Sequence, residues 1–251
     1  MPNENNSLDV LGVKPIADAI NTVTKGTVEG ASAFLSRICM PAAEEFGLLL
    51  KDHVSAWRAK NAINISKKAQ DLVEKQVGGL IVMAHPRIVF NTIEHGSWAD
   101  EDFMQNLWAG LLASSCTSDG TDESNLIFIN MLSQLTRSQA RLINYISETA
   151  KIYKSVGGWI GADEMILEPD ELIRITGIND LQQLDRELDH LRALGLFNGG
   201  FIPEATLAAI TPLSLCLQLY VRTQGFVGSP IDYFGDRVRI VTSKPEQPIK
   251  D

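Results

Sequence analysis

The residues that could carry chemistry are few and stand far apart. The histidines are His53, His85, His95 and His190. A helical metal pair needs two of them four residues apart, and no such pair and no HExxH is present. Cys39, Cys116 and Cys216 are odd in number and form no CxxC, which argues against a zinc site or disulfide framework and for a reducing cytosol. A GxSxG elbow, a GxxxxGK[ST] loop and a GxGxxG loop are all missing. The acidic pairs Glu44-Glu45, Glu101-Asp102 and Asp122-Glu123 are adjacent, so on a helix their members diverge rather than share a site. The expectation is a chain without catalytic residues, cofactor or metal, and therefore not an enzyme.

The elements that would position any other function are helical. With 251 residues and 45% apolar content the chain can bury a substantial core, and a net charge of -9 opposes a nonspecific grip on nucleic acid. The start lacks the pattern of a signal peptide, and no run reaches the roughly 18 apolar residues of a membrane span. The organising stretch is Asp100 to Leu135. Phe103, Leu107 and Leu111 form one row and Met104, Trp108 and Leu112 another, an apolar face wide enough for the middle of a bundle. Asp100 is placed as its N-cap, with Glu101 and Asp102 in the first turn.

Before that helix, residues 1–12 read as flexible, and Ala- and Gly-rich helical spacing fills 15–40. Pro41 opens one long helix to Gln76 with an inner stripe of Phe46, Leu50, Val54, Trp57, Asn61, Ile65, Ala69 and Leu72. Asn61 is its polar member and must find partners, as a register-fixing amide. Lys51, Arg58, Lys60, Lys67 and Lys68 read as a solvated basic face. Pro86 opens a short helix with Ile88, Val89, Phe90 and Ile93 inside, and Ser124 caps the helix after the acidic loop.

Thr136 with Gln139 has capping-box spacing and starts a helix carrying Ala140, Ile143, Ile146 and Tyr153 to near Lys154. Val156 to Gly161 reads as a linker, and Pro169 to Thr176 as a helix. Asn179 or Asp180 caps a helix through Leu194 with Leu181, Leu184, Leu188 and Leu191 inside. Phe197–Ile202 and Thr206–Ile210 suggest a hairpin, and Thr211-Pro212 a further helix with Leu213, Leu217 and Tyr220. The expected fold is mainly α: a helical bundle with a long helix (1–135) and a small winged-helix-like module with a short β-hairpin (136–235). A flexible tail, 236–251, contains a possible strand Val238–Val241. The would-be recognition helix carries Asp185, Glu187 and Asp189, the wrong sign for a DNA reader.

Phe103 to Ser114 contains Leu107-Trp108-Ala109-Gly110-Leu111-Leu112-Ala113, which resembles the LWAxLLA core of the abortive-infection alpha family of bacterial antiphage proteins. Phe128 to Ala140 is similar to that family's F-x-x-x-L-x-x-L-(S/T)-x-x-(D/E)-A continuation, with Gln139 in place of the acidic residue. Arg58-Ala59-Lys60-Asn61-Ala62 fits its basic-then-Asn signature. The resemblance runs from about Pro41 to Tyr220. It implies a mostly helical protein of phage defence, in a family without an assigned reaction, and transfers no catalytic residue.

The sequence is open to three functional readings. The first is a cytoplasmic abortive-infection protein that recognises a phage or host protein and forms a homo-oligomer, with nucleic acid not expected as a partner. Its candidate structural or recognition residues are Trp57, Arg58, Lys60, Asn61, Trp108, Asp185, Glu187 and Asp189. The second is a membrane-damaging effector, peripheral to the inner membrane on activation, that uses the Ala/Gly-rich helices of 15–50. A hydrolase or nuclease assembled from dispersed residues is the third.

Overall fold

The computed structural model describes residues 25–40, 56–77, 81–202 and 207–241. Expectations for residues 1–12, for Phe46, Leu50, Lys51 and Val54, and for the tail beyond Val241 lie outside them. The chain divides into two compact units, Met1–Gln134 with Arg222–Val227, and Leu135–Val221 with Gly228–Asp251.

Unit 1 is helical. It contains α1 (Lys25–Ile38), α2 (Ala56–Val77), α3 (Pro86–Gly96), α4 (Asp102–Ser114) and α5 (Leu126–Leu132). Apart from the half-buried Phe103, the apolar rows of α4 are buried, with Trp108 only 3% exposed, because α2, α3 and α5 all lie against this helix. Its N-cap is Glu101, in extended conformation, and not Asp100; only Asp102 lies in the first helical turn. Gly110 brings α4 close to the chain at Thr223, where an added Cβ would sit 1.7 Å from the carbonyl oxygen. Nearby, Gln76 Nε2 donates to the Gly225 carbonyl at 2.8 Å.

The stripe expected on α2 needs correction at its first described member. Asn61, Ile65 and Ala69 are buried, but Trp57 is 43% exposed. Contacts with both α1 and α4 bury Ala59, Ala62, Ile63, Ser66 and Val73 as well. That face is wider than one stripe, and its centre lies to the side of Trp57. On α3, Pro86 occupies the first turn and His85 caps it, Nδ1 accepting from Arg87 N; Phe90, expected inside, is exposed. Ser124 does not cap α5. Its backbone N–H and hydroxyl donate to the Asp122 carboxylate at 2.8 and 3.1 Å, an Asx turn, and Asn125 takes the cap position. Asn125 is buried, donating to the hydroxyls of Ser114 and Ser115.

Unit 2 mixes helices and two small sheets. It begins with α6 (Arg137–Thr149), β1 (Ile152–Lys154), β2 (Ile160–Ala162) and β3 (Ile166–Leu167). There follow α7 (Pro169–Thr176), α8 (Leu181–Ala193), β4 (Phe197–Ile202), β5 (Leu207–Pro212) and α9 (Ser214–Thr223), whose last two residues belong to unit 1. It ends with α10 (Pro230–Phe234), a 3-10 turn at Gly235–Arg237 and β6 (Arg239–Ile240). β3, β5 and β4 form one sheet in that order, and β2, β1 and β6 the other, with β6 parallel to β1.

The Thr136 capping box is complete, each partner bonded to the other's backbone. The helix it starts is shorter than expected. Ala150 turns to extended backbone, so Tyr153 falls in β1 although its spacing continues the helical row. The first part of the expected linker is the turn of the β1–β2 hairpin, with Gly158 at φ +88°, while Ile160 and Gly161 already belong to β2. Asp180 caps α8 by accepting from the N–H groups of Gln182 and Gln183, and Leu181 is exposed rather than inside. Pro212 closes β5 and does not open α9; Leu213 is exposed, while Leu217 and Tyr220 are buried. In the expected tail, Arg239–Ile240 forms β6, and Arg237 donates to the carbonyls of Ser147, Glu148 and Ala150 at the end of α6.

Candidate recognition site

Three of the candidate residues meet in unit 1, where α2 crosses the loop from α3 to α4. Asn61 is 4% exposed; its Nδ2 donates to Ser97 O at 3.0 Å and its Oδ1 accepts from Gln105 Nε2 at 3.2 Å. Gln105 also donates to Ala99 O at 3.0 Å. Backbone carbonyls on both sides of Trp98 are thus tied to α2 and α4 by amide side chains, and neither amide is left without partners.

Arg58 completes the brace. Its Nε and Nη2 donate to Ser97 Oγ at 3.0 and 2.8 Å, and Nη2 donates to Glu94 O at 3.1 Å. The same nitrogen lies 3.1 Å from Glu94 Oε1, and the Arg58 side chain is only 13% exposed, so this pair is better shielded from solvent than an ordinary surface ion pair. The guanidinium lies 4.2 Å from the centre of the Trp98 ring, in cation–π range. Trp57 meets Trp98 edge to face, 6.2 Å between centroids and 62° between planes. Both indoles stay open to solvent, Trp98 at 61%. Rigid neighbours therefore hold an L-shaped aromatic notch whose apolar surface has no cover among the described residues.

The other candidates lie elsewhere. Lys60 is exposed on α2. Trp108 is core, its ring stacked on His95 at 6.3 Å, and a Cβ on Gly96 would come within 3.0 Å of its Cγ. Basic residues on α2 are not uniformly solvated: Arg58 is held against Ser97 and Glu94, and Lys68 Nζ donates to Asp102 Oδ1 at 2.7 Å. The Lys68 contact, led by the hydrogen bond and reinforced by the charge, holds the Asp102 carboxyl below its ordinary range.

In unit 2 the three acidic candidates on α8 separate. Glu187 accepts the Thr136 hydroxyl at 2.9 Å, Asp189 pairs with Arg192 at 2.5 Å, and Asp185 is half-buried. Gln139 links the same two helices, donating from Nε2 to Glu187 O at 3.2 Å and lying 2.9 Å from His190 Nδ1.

Burial sets the chemistry of the thiols. It pushes Cys116 and Cys216 up to about 12, so both are protonated at neutral pH and are poor nucleophiles. Among the described residues, no three His, Cys, Asp or Glu side chains are grouped to hold a metal ion, and no helix is long and apolar enough to cross a membrane. Sequence reasoning missed Glu94, Ser97, Trp98 and Gln105. The available signal was the tryptophan just after the Gly96 helix stop, in a short loop between two helices.

The family model described as abortive infection alpha matches residues 60–207. No curated protein and no solved structure matched the chain.

Proposed function

The chain belongs to the abortive infection alpha family, and on that premise we propose that it acts in antiphage defence by recognising another protein, without catalysis of its own. One observation carries this reading: Trp57 and Trp98 are open to solvent while Arg58, Asn61 and Gln105 hold the segment beneath them. Aromatic side chains fixed on a rigid support lose little freedom on binding and dominate protein interfaces. The protonated, buried state of Cys116 and Cys216 supports a non-catalytic role.

Unit 2 serves in this reading as a winged-helix-like architectural module. The supporting features are the order α6, β3, α7, α8, β4, β5 and the strand order β3-β5-β4. Its α8 presents Asp189 already paired with Arg192 and Glu187 turned to Thr136, so two of its three acidic candidates are engaged within the module.

The test is a phage challenge of cells carrying the wild type or the W57A/W98A variant, with circular dichroism of the purified proteins alongside. Protection should fall while helicity is unchanged, and a partner recovered from infected cells with the wild type should be missing with the variant. Undiminished protection by W57A/W98A would sink the proposal. Liposome leakage by the purified wild type would favour instead the membrane-damaging effector built on residues 15–50.

A further inference from the structure

The Trp57–Trp98 notch has a chemistry that narrows its occupant, provided that the notch is the recognition surface proposed above. One face of Trp98 is occupied by the Arg58 guanidinium at 4.2 Å. That cation draws on the ring's electron density and disfavours a second cation on the opposite face. An uncharged, compact ring suits the open face better. Two partly exposed indoles are also too small for a protein face of about 800 Å² per partner, and match a short peptide. Proline fits both conditions, and Pro-x-x-Pro segments are read by grooves lined with aromatic rings because their three-residue period puts both prolines on one side.

The chain carries such a segment itself. Lys244-Pro245-Glu246-Gln247-Pro248-Ile249-Lys250 has Pro245 and Pro248 at the required spacing, with a lysine at each end. Beside the notch, the Glu94 carboxylate that pairs with Arg58 is 34% exposed, and a flanking lysine can share it. We propose that the Trp57–Trp98 notch of one copy takes the Pro245–Pro248 segment of a second copy, making a head-to-tail association.

Complementation between full-length variants tests this. Sedimentation over a range of concentrations should show association of the wild type and its loss in W98A and in P245A/P248A, each folded by circular dichroism. Mixing the two variants should restore association, because one retains the segment and the other the notch. In parallel, a synthetic 242–251 peptide should shift the tryptophan emission of P245A/P248A, and W98A should bind it roughly tenfold more weakly. A wild type that stays monomeric, variants that associate like the wild type, or a mixture that fails to associate would each overturn the inference. Loss of protection in W57A/W98A with full protection in P245A/P248A would leave the recognition reading standing and remove this one.

Discussion

Unit 1 and unit 2 each hold their helices in register with a polar side-chain network, but the two networks span different distances along the chain. In unit 1 the links that α2 makes are remote: Asn61 reaches Gln105 and Arg58 reaches Ser97, pairs separated by 44 and 39 residues. In unit 2 the network grows from a local device. Thr136 and Gln139 first cap α6, three residues apart, and the same two side chains then reach Glu187 on α8. A network seeded by a cap retains part of its bonding when its remote partner is lost. The Asn61 amide has only remote bonds of this kind and keeps no local remainder. Removing a single member should therefore cost more in unit 1.

The largest effect should come from Gly110→Val. With a Cβ position 1.7 Å from Thr223 O, the side chain has no room, and a loss of about 3 kcal/mol or more is expected in urea unfolding. Next is Asn61→Leu, which strips Ser97 O and the Gln105 amide of a partner in a buried place. About 2 kcal/mol should be lost, and combining it with Gln105→Leu should cost less than the sum. Gln139→Ala should cost about 1 kcal/mol, since the Thr136 hydroxyl still accepts from the backbone N–H of residue 139. Equal losses in Asn61→Leu and Gln139→Ala would erase the distinction between the two networks.

The smallest effect concerns Asp102 and Lys68. The folded-state carboxyl lies below its unfolded value, so its stabilising share is present above the ordinary carboxylate range and disappears as pH falls through the lowered folded value. Asp102 is 79% exposed on its side chain, and solvent screening reduces that share to about 0.3 kcal/mol. Asp102→Asn should flatten this acid-side slope slightly, and the difference from the wild type should shrink further in salt.

Local chemistry was legible in the sequence. Pro169 at the start of α7, Asp180 capping α8 and the Thr136–Gln139 box all act within a few residues, and each stands where its type predicted. The wide apolar face of α4 was legible too, because two interleaved rows admit only a buried position. Failures occurred where a tertiary neighbour decided. Tyr153 continues a helical row, yet extended backbone at Ala150 and pairing with Gly161 make it a strand residue. Trp57 belongs to a valid stripe, but the second neighbour of α2 moves the buried face aside. The notch depends on Trp98, and no period in the sequence ties that loop residue to Trp57 forty-one positions earlier.

The Gln139 side chain lies between two backbone groups of opposite polarity, the Thr136 N–H at its oxygen and the Glu187 carbonyl at its nitrogen. Neither would tolerate the amide turned over, so the side chain has a single orientation. His190 Nδ1 lies 2.9 Å from the Gln139 nitrogen and 3.3 Å from its oxygen, so the ring edge of α8 rests against the same amide. A residue that starts one helix thereby doubles as the anchor of another, so the register of the pair is fixed where the first begins.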